Sequence, residues 1–244
     1  MKNVGVFASV VSTLGLALAL GACSSATPGT EQDKGLEGEG VGTPTGKETN
    51  PDGVPYPTTR IGTKPSTHKP TLQGTPGDVM KNFKFYGYPK GDKSQGLQQV
   101  SLADYFDPQT KNFRLIHIQA AAVWCGPCNQ EAKAAAGIAG ELKEKKVAWL
   151  AVLVETSKRG SPSTQGDLDK WLSAYPSDFS HVLDPNNAQF GVFFDAAAVP
   201  WNAALDARTM EILSASTGGP GTAEGVRTEV DGWLKFLDGY PAAK

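Results

Sequence analysis

Trp124-Cys125-Gly126-Pro127-Cys128 sets two thiols two residues apart, at the junction of an apolar run and a helical one. Upstream, Phe113 to Val123 (FRLIHIQAAAV) is short, apolar and β-branched enough for a buried strand. Downstream, Asn129 to Lys146 is rich in Ala, Lys and Glu and predicts a helix. Pro127 suits the first helical turn, where a missing N–H costs nothing, so Cys125 falls at or just before the helix start. Unpaired N–H groups and the helix dipole favour an anion there, and for cysteine that anion is the thiolate, its reactive form. Cys125 is therefore the expected nucleophile. Cys128, one turn further in, is the expected resolving thiol.

Two other uses of a C-x-x-C pair fit less well. A zinc site needs about four N or S ligands, and the remaining candidates are Cys23 and the scattered His68, His117 and His181. A purely structural bridge closing so short a loop restricts the unfolded chain little. Redox chemistry at Cys125 and Cys128, with no metal and no cofactor, is the reading the motif favours.

WCGPC is the thioredoxin active-site sequence, and the longer WCGPCNQE resembles the membrane-tethered, TlpA/ResA-like branch of the thioredoxin-like family. The resemblance runs over about residues 76–240. It implies an α/β thioredoxin-like fold with a central mixed sheet flanked by helices and extra N-terminal strands. It also implies a redox disulfide between Cys125 and Cys128. Trp124, Gly126 and Pro127 then lie at the substrate-binding surface. Val199-Pro200 matches the position of the cis-proline that such proteins place beside the thiols, where a free backbone edge can pair with a substrate strand. Glu131 aligns with the glutamate that follows the second cysteine by three. Its helical spacing with Ala135, Ile138 and Leu142 puts it on the buried stripe, where a desolvated carboxylate suits proton exchange with Cys128. The sequence departs from that branch at Lys133, where a proline is common, and at Ala120 to Ala122, where bulky residues are common. Peroxidatic chemistry is disfavoured because no cysteine sits in a Pro-x-x-x-Thr-x-x-Cys context. Copper relay is disfavoured because the cysteine spacing is two.

The chain of 244 residues is 39% hydrophobic with a formal charge of −2, values that give no basic excess for nucleic acid. Residues 1–22 read as a signal peptide, with a short basic start followed by the apolar stretch Val4 to Leu20. Leu20-Gly21-Ala22-Cys23 resembles a bacterial lipobox, which implies lipidation at Cys23. Residues 23–75 are rich in Gly, Pro, Thr, Lys and Glu, with Tyr56 the sole aromatic, and are expected to be a disordered, lipid-anchored linker. As a flexible coil it would span on the order of 40 Å. Residues 76–244 form the expected thioredoxin-like domain.

Within that domain, Phe83 to Tyr88 and Leu97 to Val100 predict a hairpin, and Ser101 to Asp104 predicts a capped short helix. Val147 to Val154 predicts a central parallel strand and Asp167 to Tyr175 a helix. His181 to Asp184 predicts a strand and Ala188 to Phe194 a helical stretch. Trp201 to Asp206 and Met210 to Ser216 predict an antiparallel pair, and Thr222 to Leu237 a closing helix. His117 is expected to be a hydrogen-bonded structural histidine. The loop Thr156 to Gly166 follows a parallel strand and should share the functional edge with the thiols.

The chain is thus expected to be an exported, lipid-anchored thiol–disulfide oxidoreductase facing the periplasm or another extracytoplasmic space. It would be a monomer that reduces disulfides of substrate proteins and takes electrons from a membrane thiol carrier. The alternative is a redox-inactive thioredoxin-fold binding or chaperone module tethered to the membrane.

Overall fold

The computed structural model describes residues 45–68 and 72–241; the expected signal segment and Cys23 lie outside them. A seven-stranded mixed sheet forms the centre, in the order β2-β1-β5-β4-β3-β6-β7. Strand β1 (Lys84–Tyr88) and β2 (Gln98–Ser101) form the antiparallel hairpin at one edge. Ser101 caps the 3-10 turn Leu102–Tyr105 through a capping box with Asp104, as the Ser-x-x-Asp spacing predicts.

Strand β3 (Leu115–Ala122) leads into helix α1 (Gly126–Ala136) and returns as β4 (Val147–Glu155), parallel to β3. A second crossover through α3 (Gln165–Ala174) adds the parallel strand β5 (Ser180–Leu183). Strand β6 (Trp201–Asp206) runs antiparallel to β3 and turns back as β7 (Glu211–Thr217), and α4 (Ala223–Gly239) closes the domain. Both central strands are buried along their whole length, as near-continuous apolar runs between covered faces should be. On one face, Leu115, Trp149, Ala151 and Ala204 pack against Ala135, Ile138 and Leu142 and against Val226, Val230 and Leu234 of α4.

Two expected helices differ in form. The run Asn129 to Lys146 is broken after Gly137, where Ile138 adopts φ −124° and ψ 20°, so a separate α2 spans Ala139–Glu144. Ile138 and Leu142 stay buried across the break, which keeps the apolar stripe continuous. Ala188 to Phe194 forms only the 3-10 turn Phe190–Val192, because Phe190, Phe193 and Phe194 all turn onto Trp201.

The linker expected over residues 23–75 requires a correction. Residues 45–68 pack on the domain instead of standing free of it. Tyr56 is only 6% exposed, donates its hydroxyl to the Met80 carbonyl at 2.8 Å and meets Phe106 edge-on. Asn50 donates to the Phe106 carbonyl at 3.0 Å, and Lys84 pairs with Glu48 at 2.9 Å. Further along, Ser66 N–H reaches the Ile212 carbonyl and Gly77 N–H reaches Glu211 Oε1, each at 2.8 Å. Val79 bridges Glu211, so the strap covers the outer edge of β7, which would otherwise present unpaired backbone groups. Composition hides this because one buried aromatic and a set of long-range backbone hydrogen bonds hold the segment. Pro55 and Pro57 flank that aromatic and lower the entropy of ordering it.

Tyr56→Ala should therefore lower the stability of the 45–244 chain by about 3 kcal/mol, read by urea denaturation. A chain beginning at residue 76 should be destabilised at least as much. Equal midpoints for the two chain lengths would show that the strap contributes nothing.

Candidate active site

Cys125 is the N-cap of α1, with Pro127 in the first turn, and its sulfur accepts the Cys128 N–H at 3.2 Å. The two cysteines are joined in a disulfide. Cys125 is 2% exposed and Cys128 fully buried, while Gly126 and Pro127 between them lie open to solvent. The Val199–Pro200 bond is cis, and Cys125 Sγ lies 3.5 Å from the Val199 carbonyl oxygen. Thus Cys125, Cys128, Gly126, Pro127, Val199 and Pro200, chosen from sequence, converge on one place. Asn129 fixes the turn before the helix by donating to the Cys125 carbonyl at 2.6 Å and the Val123 carbonyl at 3.2 Å, and Tyr175 holds the Asn129 amide oxygen at 2.7 Å.

Trp124 is half-buried and donates its indole N–H to Glu155 Oε2 at 2.5 Å. The guanidinium of Arg159, in the loop after β4, lies 4.0 Å over the Trp124 ring, so this loop does share the edge that carries the thiols.

Beneath the disulfide lies a buried polar cluster. Gln119 and Asn202 stand directly opposite each other on β3 and β6, on the face that α1 covers. Glu131 descends from α1 between them and is fully buried. Its Oε2 accepts from Gln119 Nε2 at 3.1 Å and from Asn202 Nδ2 at 3.2 Å; its Oε1 has no partner among the described residues. Gln119 also donates to the Cys128 carbonyl at 3.3 Å, which ties the carboxylate to the second cysteine's turn. His117, two residues before Gln119, sends Nε2 to Asn202 Oδ1 at 3.0 Å and stacks on Trp149 at 3.9 Å. His117 is thus buried and hydrogen-bonded, as expected of it.

Burial raises Glu131 from its ordinary 4.5 to about 7. The hydrogen bonds from Asn202 and Gln119 oppose the shift, and the nearby Glu229 carboxylate adds to it. Burial lowers His117 and His181 to about 4, so both are neutral at pH 7.

Sequence reading gave no role to Gln119, Asn202 or Glu155. The signal that could have found them is a polar residue interrupting an apolar strand, since a buried polar group must be hydrogen-bonded and so marks a partner across the sheet.

Residues 76–208 match the AhpC/TSA family. The chain belongs to the AhpC/TSA family of thioredoxin-like oxidoreductases. No curated protein matches it in sequence. Among solved structures, AhpC of Enterococcus faecalis shares the fold at 15% identity, with 69% of this chain and 98% of that one covered and a TM-score of 0.51. A secreted thiol-disulfide isomerase of Corynebacterium glutamicum aligns at 17% identity over 66% of this chain and 86% of that one, with a TM-score of 0.48. The thioredoxin domain of a thiol-disulfide oxidoreductase from Bacteroides vulgatus aligns at 16% identity over 65% and 99%, with a TM-score of 0.44. Among the described residues, no helix is long and apolar enough to cross a membrane.

Glu131 holds its proton in the folded chain over a pH range where the unfolded chain has released it. Its contribution to stability is complete below about pH 4.5 and is lost as pH rises through about 7. The two histidines act oppositely between pH 4 and 6.5, where the unfolded chain binds the extra protons. Subtracting wild type from Glu131→Gln isolates the carboxyl. The variant should gain stability relative to wild type on the order of 2–3 kcal/mol between pH 5 and pH 8, by urea denaturation of the oxidised protein. A difference that does not change with pH would mean that Glu131 titrates as an ordinary carboxyl.

Proposed function

We propose that the chain is an exported, lipid-anchored thiol–disulfide oxidoreductase that reduces disulfides of substrate proteins. The observation that carries this reading is a Cys125–Cys128 disulfide at a helix start with a buried carboxylate, Glu131, beneath it. The reduced Cys125 thiolate attacks one sulfur of a substrate disulfide and forms a mixed disulfide, and the substrate's other sulfur leaves as a thiolate. Cys128 then gives its proton to Glu131 and attacks Cys125 Sγ. This regenerates the Cys125–Cys128 bond and releases the second substrate sulfur. The substrate gains two electrons and the cysteine pair loses them.

Trp124, Gly126, Pro127 and the Val199-Pro200 segment form the substrate-binding surface in this reading. The exposed Gly-Pro turn leaves room for a partner chain, and the Val199 carbonyl offers a backbone acceptor to it. Return to the reduced state requires a donor, for which a membrane thiol carrier is proposed. Export rests on the signal-like residues 1–22 and anchoring on lipidation at Cys23. The anchored segment runs from Cys23 to residue 44, since the strap from residue 45 belongs to the domain. We propose a monomer, with no nucleic acid among its partners.

The test is reduction of insulin disulfides by the 45–244 chain with dithiothreitol as donor. Wild type should accelerate turbidity well above the dithiothreitol rate, and Cys125→Ser should lose that acceleration. Cys128→Ala should accumulate a mixed disulfide through Cys125. No acceleration by the reduced wild-type protein would replace this reading with an idle thioredoxin-fold binding module. In cells expressing the full chain, Cys23→Ala should move the protein from the membrane to the soluble fraction. Unchanged fractionation would remove the lipid anchor from the account.

A further inference from the structure

We propose that Asn202 and Gly219 are positioning residues for the proton on Glu131: Asn202 occupies one carboxyl oxygen, and the absent side chain at Gly219 leaves the other free to carry and exchange it. This rests on Glu131 being the proton acceptor of Cys128.

Asn202 can hold only one orientation. Its Oδ1 faces His117 Nε2, so that nitrogen must carry the hydrogen, and its Nδ2 donates both to Glu131 Oε2 and to the Gly218 carbonyl at 3.0 Å. A flipped amide would set its oxygen against the Glu131 carboxyl oxygen and the Gly218 carbonyl. The Gly218 carbonyl, which can only accept, therefore fixes the amide, the neutral imidazole takes the matching Nε2–H tautomer, and the amide fixes the carboxylate. With Gln119 as second donor, Oε2 already accepts two N–H groups. Protonation there would drive an O–H against them, so the proton belongs on the unpartnered Oε1.

Gly219 lies directly over that oxygen. A Cβ at this position would stand 2.3 Å from Oε1, 2.5 Å from Oε2 and 2.4 Å from Asn202 Nδ2, where no contact under about 3 Å is tolerated. Gly219 is itself exposed, so one backbone segment separates the carboxyl from water. That segment, Gly218-Gly219-Pro220-Gly221, is hung from the thiol surface by the Gly218 N–H on the Pro200 carbonyl at 2.8 Å. The charged and titratable groups facing the carboxyl are Glu229 from α4 and, through Asn202, His117 from β3; Cys128 lies one turn before it on α1. Among the described residues no cation faces it, so the two amide donors are what favours the anion.

Loss of either arrangement should make the anion harder to form. Asn202→Ala removes a donor, and Gly219→Ala forces carboxyl and amide apart. The experiment follows the Glu131 side-chain carboxyl by carbon-13 NMR titration of the oxidised protein, together with the pH dependence of mixed-disulfide release in a single turnover. Both variants should raise the Glu131 midpoint by about one pH unit, a tenfold change in proton affinity. The release profile should move upward in pH by the same amount. A merely structural role would lower the melting temperature and leave both midpoints in place. Glu131→Gln is the control: if it leaves the release profile unchanged, the acceptor assignment itself fails. If it abolishes the profile's dependence while Asn202→Ala titrates as wild type, the positioning proposal is overturned. Asn202→Ala decides the matter even where Gly219→Ala does not fold, since it removes atoms and adds none.

Discussion

Cys125 belongs to two structures at once, ending the turn that leaves β3 and capping α1 with its sulfur on the Cys128 N–H. Moving either element would separate the sulfur from the helix start or from the Val199 carbonyl, so the surrounding contacts hold that junction. Asn129 and Tyr175 brace the turn from below α1, and Trp124 locks it sideways onto Glu155. The parallel register of β3 with β4 brings Ala122 opposite Glu155, which puts the loop bearing Arg159 beside the same turn.

The second constraint is the carboxylate under the disulfide. A buried Glu without a cation is costly, and the chain offsets that cost with amides from two strands instead of a charge. This leaves Glu131 divided between its protonated and anionic forms at pH 7, able to accept and return a proton, where an ion pair would have held it anionic. The same choice explains why β3 and the start of β6 carry His117, Gln119 and Asn202 on one face.

Much of this was legible in the sequence because the determinants were local. The apolar runs at 113–123 and 147–154, the Cys-x-x-Cys turn with its proline, and the stripe through Glu131, Ala135, Ile138 and Leu142 each state their own structure. Asn202 was not legible, because its role depends on a register between strands far apart in the chain. Residues 45–68 failed for a related reason. Their order comes from Tyr56 and from hydrogen bonds to Met80, Phe106 and Ile212, none of which a composition average over Gly, Pro and Thr can register. The break at Gly137 was visible as a glycine, yet the continuing stripe made one long helix the simpler expectation.

Everything proposed for this chain depends on Cys125, and not Cys128, being the thiol that reacts. The direct measurement is alkylation of the reduced 45–244 protein with limiting iodoacetamide at pH 7, with each cysteine resolved by peptide mass spectrometry. Capping of the helix by the Cys125 sulfur and full burial of Cys128 predict modification of Cys125 at least about tenfold faster. Equal rates, or faster modification of Cys128, would contradict the account.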